Sequence, residues 1–374
     1  MMRTITNILR TPDWWLFGGA LLLSLFGLVT MSSFVAEDNY FSRQLVWIIL
    51  ATCVYVGASL VDWRFLRSTK VSVAIFIVMA ILLGLVATIG TISQGAQSWF
   101  NLGFFNFQPA DPAKIALVII LAKYFTRRHA EIGHVRHILV SGFYTFIFFL
   151  LIFIQPDFGS AIIIGFIWFV MILVSGISKR HLAFVIGTGV IAFGALWLFV
   201  FQPYQKARIV SFIHPLADIR GSGYNAYQST VAVGSGELFG KGIGFGTQSK
   251  LKFLPEYQTD FIFAAFSEEW GFVGGIIILV IFSFLVARIM YHASRAPSNF
   301  ETLFCVGFAG VIVAHSIVHI GMNIGLLPVT GVPLPYMSYG GSHLLTEFLA
   351  LGIISSFSRF SVKSRVATME VDLL

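Results

Sequence analysis

Three aspartates lie at the ends of long apolar runs, where a carboxylate could do chemistry. Asp111 and Asp157 come just before apolar runs, while Asp260 ends a polar stretch and opens another run. Carboxylates at membrane depth are costly unless they are paired or hydrated, so their positions mark candidate sites. Asp111 and Asp157 fit equally well as turn or helix-capping residues. Asp260, with Glu256 one helical turn earlier and Thr259 beside it, lies where a general base would meet both a water-soluble sugar and a lipid headgroup.

Other polar residues lie inside apolar runs, namely Glu268, Glu269, Glu347, His315, His319 and Asn323. For the glutamates, we favour internal pairing with Lys, Arg, Ser or Tyr from neighbouring helices. The two histidines and Asn323 recur every four residues, which places them on one helix face. A metal site is possible at that spacing, but the zincin-type Glu is absent, so a polar stripe facing the bundle or a cavity is the better interpretation.

A glycine-rich stretch precedes Asp260, with Gly234, Gly236, Gly240, Gly242, Gly244 and Gly246. It matches no P-loop, and flexible turns are the default interpretation. Lys241, Lys250 and Lys252 lie close by in the sequence, and they leave room for an anionic ligand there.

The elements that position these residues are membrane helices. Hydrophobic residues make up 57% of the 374 residues, charged ones 11%, and the mean hydropathy is +0.86, which exceeds what a soluble domain needs for its core. Apolar runs occur at 15–34, 43–61, 71–90, 113–125, 137–154, 159–176, 182–201, 261–287, 303–325 and 343–357. We therefore predict an all-α integral membrane protein with about ten transmembrane helices. Residues 1–374 form a single domain, with a large outer loop at about 202–260 between spans seven and eight.

Lys and Arg residues set the orientation. Most of them fall on one side when the amino terminus is placed inside, while the short opposite loops hold little beyond Arg43 and Lys114. Both termini are therefore expected in the cytoplasm and the active site outside, because a loop as long as 202–260 translocates largely regardless of its charge. The net charge of +7 is mainly a topology signal, and nucleic acid is not an expected partner. Cys53 and Cys305 lie in apolar runs and imply no disulfide.

Three sequence blocks together resemble the SEDS family (shape, elongation, division and sporulation) of peptidoglycan glycosyltransferases. They are Gln155-Pro156-Asp157-Phe158-Gly159, the stretch from Gly240 through Leu254-Pro255-Glu256-Tyr257-Gln258-Thr259-Asp260 to Ala264, and Asn323 to Pro335 with Ser338-Tyr339-Gly340-Gly341-Ser342. Residues 246–249 and 253–256 are more similar to the elongation branch, RodA, than to the division branch, FtsW. Asp111 stands where the family usually has Glu, and Gln258 replaces a frequent His.

The resemblance implies a polymerase of glycan strands, in cell elongation and shape, at the outer face of the bacterial cytoplasmic membrane. It transfers a disaccharide unit linked to polyprenyl pyrophosphate, from lipid II, to a sugar hydroxyl. The family's catalytic aspartate corresponds to Asp260. Accessory or substrate-binding roles are expected for Asp157, Asp111, Lys114, Arg208, Lys241, Glu256, Thr259, Ser338 and Ser342. The expected partner is a single-span class B penicillin-binding protein that performs transpeptidation.

The donor already carries its leaving group, so no nucleotide is expected. Pyrophosphate departure needs cations, which Arg208, Lys241 or a divalent ion such as Mg²⁺ or Mn²⁺ could supply. Two other function classes stay open: a transporter that flips the lipid-linked precursor, and a scaffold for other wall enzymes. The acidic residues lie at one face rather than at the midplane, which favours the enzyme over the transporter.

Overall fold

The computed structural model describes residues 12–34, 39–93, 96–103, 105–126, 135–214 and 223–371. Its helices are α1 Trp14–Ser32, α2 Tyr40–Leu60, α3 Thr69–Ile89, α4 Ala110–Thr126, α5 Val135–Ile154, α6 Phe158–Val174, α7 Lys179–Ala195, α8 Pro203–Ile213, α9 Tyr224–Ser235, α10 Thr247–Lys250, α11 Ile262–Ser294, α12 Asn299–Asn323 and α13 Gly341–Val371. A 3₁₀ turn covers Trp63–Arg67, and a π-helical turn, Leu196–Val200, extends α7. Strands β1 Thr91–Ser93, β2 Ala96–Asn101 and β3 Asn106–Phe107 form a small antiparallel sheet in the order β1-β2-β3.

Each of the ten predicted apolar runs is helical, so the all-α membrane fold is confirmed. Among the described residues, seven helices are long and apolar enough to cross a membrane: α1, α2, α3, α5, α7 with its π-helical turn, α11 and α12. Helix α6 and the apolar part of α13, Gly341–Phe357, are shorter. Helix α4 has 17 residues and includes two lysines and an aspartate. The number of crossings stays a prediction.

Helix α4 lies in the centre of the bundle, packed against α3, α6 and α12. Nearly all of its side chains are buried, including Asp111 and Lys114. Protein rather than lipid therefore surrounds α4, which explains how a helix of such mixed composition is accommodated. Helix α7, in contrast, has no buried residue, so it lies at the outside of the bundle.

The predicted outer loop is partly helical, since it contains α8, α9 and α10. Residues 215–222, which include Arg220, lie outside the described residues. The loop packs on α11 where that helix is interrupted at Gly271, whose φ is +66°. Four backbone hydrogen bonds of 2.9–3.1 Å join the loop to α11 there: Lys241 N to Glu268 O, Gly242 N to Glu269 O, Phe272 N to Glu237 O and Val273 N to Leu238 O. The loop thus satisfies the backbone groups that the interruption leaves unpaired.

An ion cluster closes the end of the bundle where α1 begins. Asp13 caps α1 and accepts hydrogen bonds from the Arg288 guanidinium and His292 Nε2, at 2.9 Å and 2.6 Å. Burial disfavours ionisation of Asp13, but the bonds from His292 and Arg288 outweigh it and hold the pKa of Asp13 below its usual range. We call this the Asp13 end of the bundle and the other the Asp260 end.

Candidate active site

Asp260 lies in a tight turn that leads into α11. Backbone amides of residues 259–261 all donate to Glu256 O, at 3.0–3.2 Å, and Glu256 itself has a φ of +48°. Ser338 Oγ donates to Thr259 O at 2.8 Å and so ties the turn to the segment before α13. The backbone around the carboxylate is therefore held by contacts from outside its own segment.

Asn323, the last residue of α12, connects Asp260 to the core of the bundle. Its Nδ2 donates to Asp260 O, and its Oδ1 accepts from Ala264 N, both at 3.0 Å. Its own carbonyl accepts a 2.9 Å bond from Ser229 Oγ of α9. Asn323 thereby fixes both the turn and the first turn of α11, and its side chain is fully buried.

A connecting segment, residues 328–338, covers the other side of Asp260. Gly331 has a φ of +74°, and a Cβ atom built on it would lie 3.4 Å from Asp260 Oδ2. Two buried histidines of α12 hold this segment: His315 Nδ1 lies 3.1 Å from Pro333 O, and His319 Nδ1 lies 2.7 Å from Val332 O. The polar stripe on α12 therefore faces the bundle, as predicted.

Asp157 approaches the same region from α6. It caps that helix by accepting from Ser160 N at 3.0 Å, and its second oxygen accepts from Gln108 Nε2 at 3.0 Å. Ser342 Oγ contacts the backbone of Gln108. A Cβ atom on Gly159 would lie 2.6 Å from the carbonyl of Thr330, so the start of α6 is in close contact with the connecting segment.

The charges around Asp260 adjust its acidity. Burial and the neighbouring Glu256 carboxylate raise the pKa of Asp260 to about 7, with a smaller contribution from Asp157. Arg208 and a hydrogen bond from Thr259 act in the opposite direction. A carboxyl group with a pKa near neutrality is suited to accept a proton during a reaction.

A small cleft lies between α6, α8 and the connecting segment, and it is linked to Asp260 through Arg208 and through Thr330, which precedes Gly331. Its lining is largely apolar, with Phe158, Phe201 and Val329, and it also contains Arg208 and Thr330. An apolar wall next to a guanidinium suits a ligand that combines a lipid chain with an anionic group.

The other predicted site residues form two separate groups. In the first, Lys114 Nζ lies 3.2 Å from Asp111 Oδ1, and His343 Nδ1 lies 3.3 Å from the same oxygen. His343 Nε2 in turn lies 3.0 Å from Glu347 Oε1. In the second group, Lys241 forms a 2.7 Å ion pair with the buried Glu268. The pairing expected for the glutamates is confirmed for Glu268, which pairs with a lysine. Glu347 instead contacts His343 of its own helix and accepts a bond from the backbone amide of Tyr336.

Sequence reasoning assigned no part in the site to Gln108 or Gly331, and it left Asn323 as one member of a stripe. A glutamine and a glycine carry no local signal of such roles. Across the described residues, no three His, Cys, Asp or Glu side chains are grouped closely enough to hold a metal ion, including His315 and His319.

Comparisons with known proteins agree with one another. A family model described as cell cycle protein, for FtsW, RodA and SpoVE, matches residues 9–363. Stage V sporulation protein E of Bacillus subtilis is 36% identical over 371 residues, which cover 96% of this chain and 100% of the relative. The peptidoglycan glycosyltransferase MrdB of Escherichia coli is 39% identical over 286 residues, 75% of this chain and 76% of the relative.

Solved structures give the same result. A chain from a peptidoglycan synthase complex that coordinates polymerization and crosslinking matches with a TM-score of 0.80 and 29% identity, covering 94% of this chain and 98% of its own length. The rod shape determining protein RodA of Thermus thermophilus matches with a TM-score of 0.70 and 29% identity, over 93% and 97% of the two chains.

Proposed function

We propose that Asp260 is the general base of a peptidoglycan glycosyltransferase. The chain belongs to the FtsW, RodA and SpoVE family of cell cycle proteins. The observation that supports this role best is the raised pKa of the buried Asp260, about 7, together with its interaction with Arg208, which lines an apolar cleft. The substrate is lipid II, whose lipid chain and pyrophosphate match the two kinds of surface in the cleft.

The reaction forms one glycosidic bond. The 4-hydroxyl oxygen of the acceptor sugar attacks the anomeric carbon of the donor, while the bond from that carbon to the pyrophosphate oxygen breaks. Asp260 takes the hydroxyl proton, and polyprenyl pyrophosphate leaves with the bonding electrons. Glu256 keeps the proton affinity of Asp260 high, and Asn323 with Gly331 keeps the carboxylate in place.

Arg208 stabilises the departing pyrophosphate. It lines the cleft, and its positive charge lowers the pKa of Asp260, so the guanidinium lies within electrostatic range of the proposed base. Lys241 contributes less in this proposal, since Glu268 already pairs with it. A divalent cation, Mg²⁺ or Mn²⁺, remains part of the proposal. The described residues offer it no closed protein site, but Mg²⁺ commonly uses one or two carboxylates together with substrate phosphates. Added EDTA is then expected to stop polymerisation, and a metal-independent rate would exclude the ion.

The Asp260 end faces outward from the bacterial cytoplasmic membrane, and both termini lie in the cytoplasm. The Lys and Arg distribution supports this orientation. In a Cys53→Ser, Cys305→Ser background, a thiol introduced at Lys250 is expected to react with an impermeant reagent in intact cells, and one at Arg295 only after lysis. Reaction of both from the same side would refute the orientation.

We also propose that a class B penicillin-binding protein is the partner, and that the complex acts in elongation and cell shape. Support comes from the structural relative that is part of a synthase complex and from the RodA relative. Coexpression and copurification with such a transpeptidase would test this partnership. A chain that purifies only as a single species would count against it.

The decisive experiment is polymerisation by the purified protein. Protein with and without the coexpressed transpeptidase is incubated with lipid II and Mg²⁺ or Mn²⁺, and glycan polymer is measured for wild type, Asp260→Asn and Asp260→Ala. Both variants are expected to make no polymer while remaining folded. Asp62→Asn is the matched control, because Asp62 is partly exposed and pairs with Arg64 away from the site.

The transporter and scaffold hypotheses give other results. Asn is about as good a helix cap as Asp, so a purely structural Asp260 would leave the Asn variant active. Wild-type protein that moves lipid II between leaflets of vesicles and makes no polymer would support the transporter. Protein that neither moves lipid II nor makes polymer would support the scaffold.

A further inference from the structure

Residues 238–253 expose six large apolar side chains, and we call this segment the apolar loop. Phe239 is 80% exposed and Phe245 72% exposed, and the set is completed by Leu238, Ile243, Leu251 and Phe253. Loops that face water rarely present so many phenylalanines and leucines together. This apolar surface is therefore expected to be covered by lipid or protein.

The apolar loop is firmly attached, so its exposed side chains have a defined direction. The Glu268 carboxylate is fully buried and accepts bonds from Lys241 Nζ at 2.7 Å and from both the amide and the hydroxyl of Thr247 at 2.9 Å. Glu269 accepts from Gly244 N at 3.0 Å. The polar side of the loop is thus turned toward α11, and its phenylalanines point away from the protein.

The depth of the apolar loop follows from the length of α11. The ion cluster of Asp13, Arg288 and His292 places the membrane boundary at the Asp13 end near Arg288. From Phe272, directly after the interruption at Gly271, to Arg288 the helix runs for about 16 residues, which is about 24 Å and most of the thickness of a hydrocarbon core. Glu268 and the loop attached to it therefore lie at the other boundary, between acyl chains and headgroups.

The apolar surface of the loop continues onto the face of α11 that lies toward lipid. Phe272, Ile276 and Val280 follow one another at helical spacing and are 63%, 43% and 61% exposed. Phe272 N is the donor that bonds Glu237 O directly before the loop. Lys250 and Lys252 are exposed among the apolar residues, as in segments whose lysines extend toward headgroups.

We propose that residues 238–253 form an interfacial membrane anchor that inserts Phe239 and Phe245 into the lipid leaflet at the Asp260 end. The occupant is the bilayer of the protein's own membrane, and the anchor requires no particular activity of the chain. Asp260 lies in the turn before Glu268 and Glu269, the residues that hold the loop, so the anchor would keep Asp260 close to the headgroup layer.

Spin labelling tests the depth. Single thiols at Phe239 and Phe245, in the Cys53→Ser, Cys305→Ser protein, receive a nitroxide and are measured in phospholipid nanodiscs. Collision rates with oxygen, which concentrates in lipid, are compared with those of a water-soluble nickel chelate. Val280 is the control within the membrane span, and Ser294 is the control at the exposed Asp13 end. The oxygen-to-nickel ratio at 239 and 245 is expected to exceed that at Ser294 severalfold and to stay below that at Val280.

Two results at positions 239 and 245 would overturn the proposal. Nickel access at 239 and 245 equal to that at Ser294 would place the loop in water. Protection from both reagents would mean that protein, such as a second copy of the chain, covers the surface. A label at Leu251 adds a variant test, because Phe239→Ser with Phe245→Ser should raise its nickel access while a label at Val280 is unchanged. Unaltered access at Leu251 would exclude anchoring by the two phenylalanines.

Discussion

The acidity of Asp260 predicts opposite effects of its two charged neighbours. Glu256 raises the pKa of Asp260, and Arg208 lowers it. Glu256→Gln keeps an oxygen that can accept the bonds from Gln258 and Thr259, but it removes the negative charge. Arg208→Gln removes the positive charge. If Asp260 is the base, the acidic limb of the pH profile of kcat/KM moves to lower pH in the first variant and to higher pH in the second.

The size of the effect follows from the distances at which such charges act. A unit charge several Å away changes a pKa by on the order of one unit at an effective dielectric constant near 20. With a pKa of about 7, roughly a tenth of Asp260 is ionised at pH 6, and a pKa of about 6 would make that roughly half. Glu256→Gln should therefore raise activity at pH 6, relative to pH 8, by about fivefold.

Polymerisation rates are measured from pH 5 to pH 9 to define the pH profile of each variant. Each profile is normalised to its own plateau, so that a shift of the acidic limb is separated from any loss of substrate binding in Arg208→Gln. Asp62→Asn should leave the wild-type profile unchanged. A shift in the same direction for both variants, or no shift in either, would refute the assignment of the acidic limb to Asp260.

Three further predictions concern stability and local geometry. The pKa of Asp260 is raised on folding, from 3.8 to about 7, so the contribution of Asp260 to stability is lost as pH rises through that window. Asp260→Asn should therefore melt at a higher temperature than wild type at pH 8 but not at pH 4. Equal melting temperatures at pH 8 would contradict this. Gly331→Ala should lower polymerisation activity strongly. Gly103→Ala is the control, because Gly103 has a similar φ of +87° but open space around it, and it should lose only about 1 kcal/mol of stability and keep its activity. Equal activities of the two variants would remove Gly331 from the site. Glu268→Gln should cost roughly 2 to 4 kcal/mol, because it leaves Lys241 and several amides poorly paired, while Glu237→Gln on the exposed loop surface should be neutral; thermal unfolding compares the two.

The helices and the candidate base could be predicted from local sequence. Lipid requires every spanning backbone group to be paired within its own helix, so long apolar runs specify helices without reference to their neighbours. Asp260 was recognisable for the same kind of reason, since it marks a boundary between a polar loop and an apolar run. The pairing of Glu268 with a lysine followed from the cost of burying a charge.

Tertiary structure alone decided which residues share a site. Asp157, Arg208 and Asp260 come from three different segments, and their mutual effect depends on distances that no local pattern encodes. Packing also made α4 a central helix rather than a lipid-facing one, and it directed Lys241 to Glu268. Gly331 gains its role only because the connecting segment passes within contact distance of Asp260. Hydrophobic periodicity specifies which face of a helix avoids water or lipid, whereas the site depends on how those faces meet.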